Sequence, residues 1–454
     1  MILALPLTAK KDEQTRPAPW ALGIAVLGML ALGVLIGSVT GGHGQNAGFP
    51  TVLLESSAPP AAEAAPAGAA PEPAAVEATG GEAAAPIATP SSAPAEAPLV
   101  EEPLPGAPKP EVPLVEEELP TGLPEVKHVF VVMLEEGGYE ETFGEASQSS
   151  FLSEELPRQG ELLPNYFAVT KGALANQIAL LSGQGPTPET AAGCPDYGDV
   201  APGSESTEGQ VEGAGCVYPA ATETLPGQLT EAGLKWKAYV QGVEAGVAAG
   251  QPGSCRHPTP GTPDPSQVAS AEDPYVTGRN PFVYFHSIVD APECAEADVG
   301  LPQLTADLKL KAEKFPALAY IAPDEAQLEP LISEIKDSLA YKDGGMIVVT
   351  SAQAPQDGET ADESACCIAP DFPNLPDDAE APPATGPVRE SGGGGRVGLL
   401  LLSPFVEPGT TSEAYFNHFS LLITIEELFE LERIGYAAEP ALTGFDESIF
   451  NAAG

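Results

Sequence analysis

From residue 128 onward, four short apolar runs rich in β-branched residues or leucine interrupt the chain: HVFVVML at 128–134, ALAYIAP at 317–323, GMIVVTS at 345–351 and VGLLLLS at 397–403. Runs of this length without polar alternation predict strands buried on both faces, as in a parallel sheet. Between them the spacing turns helical. In TLPGQLTEAGLKWKAYV (224–240), Leu225, Leu229 and Ala232 recur at helical intervals before Gly233, which predicts a helix stopping there. HFSLLITIEELFEL (418–431) predicts a longer helix, with Asn417 as its N-cap. Strands separated by helices predict an α/β fold, a mostly parallel sheet flanked by helices on both faces. In such sheets, chemistry gathers in the loops after the carboxyl ends of the strands.

The N-terminal pattern is different. Trp20 to Thr40 is an apolar run without a charge, long enough to cross about 30 Å of hydrocarbon at about 1.5 Å per residue. Lys10, Lys11 and Arg16 precede it, and no further cation occurs until Lys109. The positive-inside bias then predicts a short cytoplasmic N-terminus (1–18), a membrane anchor (19–41) and an extracytoplasmic remainder, at a cell membrane crossed once. A cleaved signal peptide, the rival reading, calls for a shorter apolar region ending in a small-residue cleavage site. Residues 42–124 are dominated by Ala, Pro and Glu, with PLVEE at 98–102 and again at 113–117. Such a stretch buries too little apolar surface to offset its ordering entropy, so it is expected to be a disordered stalk. The globular domain is expected to span 125–454.

Charge sharpens this division. The chain of 454 residues has 65 Asp plus Glu against 19 Lys plus Arg, a formal net charge of −46. So little positive charge argues against nucleic acid as a partner, because replacing phosphate counterions requires a Lys/Arg field. All six cysteines lie beyond the apolar run. An even number there predicts disulfides in an oxidising compartment, with Cys194–Cys216 and Cys255–Cys294 as the economical pairings. The spacing C-x-x-C is absent, and the adjacent pair Cys366–Cys367 sits in an Asp/Gly/Pro-rich stretch, which disfavours a structural zinc site.

Eight segments, in order, resemble the bacterial phosphoesterase family of acid phosphatase and phospholipase C type, within the alkaline phosphatase superfamily. They are HVFVVMLEEGGYEETFG (128–144), NYFAVTKGALANQIALLSGQ (165–184), LKWKAY (234–239), NPFVYF (280–285), YIAPD (320–324), YKDGGMIVVTS (341–351), GGRVGLLLLSP (394–404) and NHFSLLITIEELFEL (417–431). The resemblance spans essentially 126–440. It implies an alkaline-phosphatase-like fold and hydrolysis of phosphate esters by a Ser or Thr oxygen, assisted by divalent metal. That chemistry needs an activated oxygen, carboxylates for the cation and positive charge toward the phosphate.

Carried over residue by residue, the resemblance implies a degenerate site. The first strand of the family ends in Glu-Asn; here it ends in Glu135-Glu136, so one metal position matches and one departs. The nucleophile segment, which resembles T-H-P-S-L-P-N, here reads Thr170-Lys171-Gly172-Ala173-Leu174-Ala175-Asn176. Ala173 takes the nucleophile position and has no oxygen, while Asn176 is kept. Asp324 survives as a metal position, but Pro330 and Leu331 stand at the expected His-Asp, Ala352 and Gln353 at the expected Asp-Glu, and Arg396 at an expected His. His418 is retained. Vestigial catalytic positions are thus Thr170, Ala173, Asn176 and His418, and vestigial metal positions are Glu135, Glu136 and Asp324.

Each residue also has a plainer alternative. Glu135 and Glu136 also read as solvated acids at a strand end, Thr170 as a hydrogen-bonding cap instead of a displaced nucleophile, and His418 as a helix cap or core residue. Lys171 and Arg396 read as a small anion site or as offsets to neighbouring acids. Asp357, Glu359, Asp362 and Glu363 read as a rebuilt metal site or as a solvated loop. Two functions stay open: a membrane-tethered binding or scaffold domain with an unidentified protein or cell-wall partner and no cofactor, or an active metal-dependent phosphatase or phospholipase C-like hydrolase with a rearranged site.

Overall fold

The structure, a computed structural model, describes residues 122–206, 209–245, 253–367, 372–375 and 387–452. The expected anchor lies outside the described residues, as does the expected stalk except for its last three. Among the described residues no helix is long and apolar enough to cross a membrane.

The domain is built on one eight-stranded sheet. In chain order its strands are β1 (His128–Leu134), β2 (Glu161–Leu163), β3 (Trp236–Val240), β4 (Asp298–Gly300), β5 (Leu318–Ala322), β6 (Gly345–Ser351), β7 (Leu399–Leu402) and β8 (Thr410–Thr411). Across the sheet they run β8-β2-β7-β6-β1-β5-β3-β4. The centre is parallel: β1 pairs with β5 and β6, β5 with β3, and β3 with β4. Every residue of β1 and β6 is buried, which accounts for their unbroken apolar character.

Helices cover both faces. Val129, Val131 and Met133 of β1 point into one core with α1 (Ala173–Ser182), α2 (Leu225–Glu231) and α4 (His418–Leu428). The alternate residues Phe130, Val132 and Leu134 point into the other, against Leu328, Leu331, Ile332 and Ile335 of α3 (Leu328–Asp337). The period-two alternation of a strand therefore divides one apolar run between two cores.

One sequence reading needs correction. VGLLLLS forms β7, but it runs antiparallel to both β6 and β2. A run buried on both faces looks the same in either direction, so composition could not reveal this. In 224–240 the helix ends at Glu231 and Gly233, at φ +75°, is its stop as expected. The remaining WKAYV is strand β3, paired in register with β5. Asn417 caps α4 as expected: its side chain accepts from Ser420 N, and Ser420 returns the bond.

Both expected disulfides form, Cys194–Cys216 and Cys255–Cys294. The adjacent Cys366 and Cys367 are also joined to each other.

Candidate functional site

The carboxyl ends of β1, β5 and β6 lie together at one end of the sheet, and that of β6 is bonded to the amino end of α1. Glu135 and Glu136 follow β1, Asp324 follows β5, and Ala352 and Gln353 follow β6. Parallel strands put these ends on one side of the sheet. Hydrogen bonds then fix the loops: Ala352 N donates to Leu134 O at 2.8 Å, Gly137 N to Gln353 O at 2.9 Å, and Ala354 N to Gly394 O at 2.8 Å.

The entrance to α1 is built around Asn176. Its fully buried side-chain oxygen accepts from Val169 N at 2.9 Å and Thr170 N at 3.0 Å. Its amide donates to Thr170 O at 2.6 Å and Gly172 O at 3.2 Å. Asn176 thus supplies partners that the incoming backbone lacks. Gly172 has φ +97°, and a Cβ there would lie 2.5 Å from Ala191 O. Thr170 is buried, and a Cβ at Gly394 would meet its carbonyl oxygen at 2.3 Å. The glycine run therefore lies directly on the segment preceding α1.

Gln353 closes this entrance. Its Oε1 accepts from Gly172 N at 2.9 Å, so the side chain after β6 is tied to the backbone before α1. Ala173, whose side chain is a methyl, is the first residue of α1.

His418 is fully buried. Its Nε2 lies 3.1 Å from Ala352 O, and a carbonyl only accepts, so Nε2 carries the proton. Nδ1, at 2.9 Å, then accepts from the Tyr166 hydroxyl. Burial pushes the imidazole down to about 4, partly opposed by the bond to Ala352, so the ring is neutral at neutral pH. The contacts of this histidine join α4 to Tyr166 and to the end of β6.

The cations Arg279, Lys171 and Arg396 are each paired with acids. Arg279, from the turn Thr277–Arg279, faces Asp324 Oδ1 at 3.0 Å and Glu135 Oε2 at 3.7 Å, and donates to Pro323 O. Lys171 meets Glu363 at 2.8 Å, and Arg396 meets Glu140 at 2.9 Å while lying over the Tyr139 ring. Lys171 and Arg396, read as an anion site or as offsets to acids, thus each face an acid. Burial raises the Glu136 carboxyl, with further upward pushes from Glu135 and Asp357. Burial opposes ionisation of Asp362, but bonds from Ser364 and the Arg396 backbone outweigh it and hold the carboxyl below its usual range. Asp362 thus ties the backbone of Ser364 to that of Arg396. Pro330 and Leu331 lie within α3, where Leu331 joins the core.

A model of the phosphoesterase family matches residues 147–432. The chain belongs to the phosphoesterase family. The matched span starts after β1, so Glu135 and Glu136 precede it. A search of curated proteins found no match. Among solved structures, similarity extends to an alkaline phosphatase superfamily protein from Vibrio parahaemolyticus (9% identity, 69% of this chain and 69% of that chain, TM-score 0.37). It extends also to a phosphonate monoester hydrolase from Silicibacter pomeroyi (10%, 72% and 77%, 0.35) and to a lipoteichoic acid synthase from Listeria monocytogenes (13%, 72% and 76%, 0.38).

Members of this phosphoesterase family are expected to use a divalent metal, and the donor set here does not fit one. Hard cations take several carboxylate and carbonyl oxygens. Ala352 and Gln353 bring no carboxylate, Gln353 Oε1 is engaged by Gly172, and Glu135, Asp324 and the Pro323 carbonyl face Arg279. Cys255, Cys294 and Asp298 also lie within ligand distance of one another, but the two sulfurs are bonded together and offer no thiolate. Arg279 was missed by sequence reading. Its signal was available: it is one of 19 cations in a strongly acidic chain and immediately precedes the NPFVYF segment.

Proposed function

We propose that residues 125–454 are a phosphoesterase-family domain that binds without hydrolysing, held outside a membrane by the anchor 19–41 and the stalk 42–124. The observation that carries this reading is the entrance to α1. Ala173 offers no oxygen, and the side chain at the adjoining metal position, Gln353, is used as a hydrogen-bond acceptor for Gly172. Phosphoryl transfer to a side chain at this position needs a nucleophilic oxygen and a means of activating it. The neutral, doubly bonded His418 adds to this reading, since neither ring nitrogen is free to accept a substrate proton.

The test is hydrolysis of an aryl phosphate and of phosphatidylcholine by the full-length chain across pH 5–9, with manganese, zinc or calcium. The expected rate is that of the buffer. Turnover lost in Glu136→Gln or Thr170→Val would overturn the reading in favour of a rearranged metal-dependent hydrolase. The membrane arrangement is tested separately, by adding protease to intact protoplasts. Digestion of the domain supports it; a protected domain, or one released as a soluble form starting after residue 41, counts against it.

A further inference from the structure

We infer that Arg279 is a built-in cation that organises the strand-end acids of this domain in place of a divalent metal. This goes beyond the absence of hydrolysis, because a centre that holds no metal and a centre that does not turn over can each fail alone.

The contacts are specific. The guanidinium is largely buried, its side chain 12% exposed, while its partners Glu135 and Asp324 are about half exposed at 53% and 49%. It reaches the ends of two adjacent parallel strands, β1 through Glu135 and β5 through Asp324 and the Pro323 carbonyl. These are oxygens of the kinds that hard cations take, two carboxylates and a backbone carbonyl. An arginine suits that position because it presents five donors in a planar fork and stays charged at every pH a folded protein tolerates.

The turn that carries Arg279 is itself fastened residue by residue. Thr277 is buried and donates its hydroxyl to Asp264 at 3.0 Å. The Gly278 carbonyl accepts from Gln177 of α1 at 3.0 Å, and Gln177 Oε1 accepts from the Tyr320 hydroxyl of β5 at 2.6 Å. Asn280, fully buried, donates to Asp298 at 2.9 Å. Gly278 is thus held from α1, Asn280 from the edge strand β4, and Thr277 from Asp264. A surface arginine that happened to find an acid would have no such support. The largely buried guanidinium is the member that depends on these partners: without the acids it would keep only the Pro323 carbonyl, whereas the half-exposed carboxylates stay in reach of water.

Metal binding and thermal unfolding of the full-length chain in detergent test this. After treatment with a chelator, wild type is titrated calorimetrically with manganese, zinc and calcium chlorides. No stoichiometric binding at this centre is expected, and chelator should leave the unfolding midpoint unchanged. Arg279→Ala should lower the midpoint by roughly 3–6 °C. Millimolar calcium or manganese should recover part of that loss, and the double variant Arg279→Ala, Glu135→Ala should not respond. Arg279→Lys, which keeps a cation, should remain closer to wild type and insensitive to metal. One divalent ion per wild-type chain, with binding weakened at least tenfold by Asp324→Asn or Glu135→Gln, would overturn the inference. So would an Arg279→Ala protein with an unchanged midpoint. If Arg279→Ala fails to fold, the wild-type titration and Arg279→Lys decide. Hydrolysis by a metal-free wild type would sink the non-hydrolytic reading and leave this inference standing; metal binding without hydrolysis would do the reverse.

Discussion

The side-chain oxygen of Gln353 accepts a hydrogen bond from the backbone nitrogen of Gly172 at 2.9 Å, so the end of β6 is fastened to the entrance of α1. The amide stands where the family resemblance calls for a metal-binding acid. Beside it, the buried Ala352 gives its carbonyl to His418 and its N–H to Leu134. This corner is a packed joint.

Ala173→Ser by itself should therefore leave aryl phosphate hydrolysis at background, because the oxygen arrives without an activating cation. Adding Ala352→Asp and Gln353→Glu should reduce stability sharply, since a carboxylate at 352 enters a fully buried position without a partner. Hydrolysis and urea unfolding of the single and triple variants check both halves. Clear turnover by Ala173→Ser alone would show that activation survives elsewhere.

Asn176→Ala should destabilise the domain by about 2–4 kcal/mol, because four hydrogen bonds to buried or half-buried backbone are lost together. Asn176→Asp keeps the acceptor bonds, loses the donors, and should fall between wild type and alanine. Urea midpoints order the three proteins. A near-neutral alanine variant would mean that the α1 entrance is held by other contacts.

All six cysteines are paired, so thiol labelling of the unreduced, denatured chain should detect no free thiol. Replacing Cys194 and Cys216 by serine together should cost about 3 kcal/mol, the scale set by closing a loop of about 20 residues. Equilibrium unfolding measures this. Two labelled thiols per unmodified chain would show that one of the three bridges is open.

Asp298 gives the domain an alkaline weakness. Burial pushes its carboxyl up to about 7, only partly offset by the bond from Asn280. Because the folded value lies above the unfolded one of about 3.9, the folded state retains the proton longer. The stabilising contribution is complete below pH 4 and is lost as pH rises through about 7, by at most about 4 kcal/mol. Glu426, raised to about 8 by burial, acts in the same direction. Asp298→Asn should flatten the fall in urea midpoint between pH 5 and pH 8. An unchanged slope would assign the effect to other groups.

Much of this protein was legible in the order of its residues. Uninterrupted apolar runs marked β1, β5 and β6 because strands covered on both faces bury every side chain. Asn417 announced the start of α4 because an N-cap is a local bond between neighbours. Cys194–Cys216 and Cys255–Cys294 followed from short loops. The alanine at 173 and the missing acids at 352 and 353 were plain once the segments were aligned with the phosphoesterase resemblance. Tertiary structure decided what folding brings together from afar. The direction of β7 depends on which strand it meets, and both directions bury the same leucines. The roles of Asn176 and His418 depend on partners that the chain returns to their side. Above all, Arg279 lies 144 residues from Glu135 and 45 from Asp324 in sequence, and only the parallel alignment of β1 and β5 brings both carboxylates to one guanidinium.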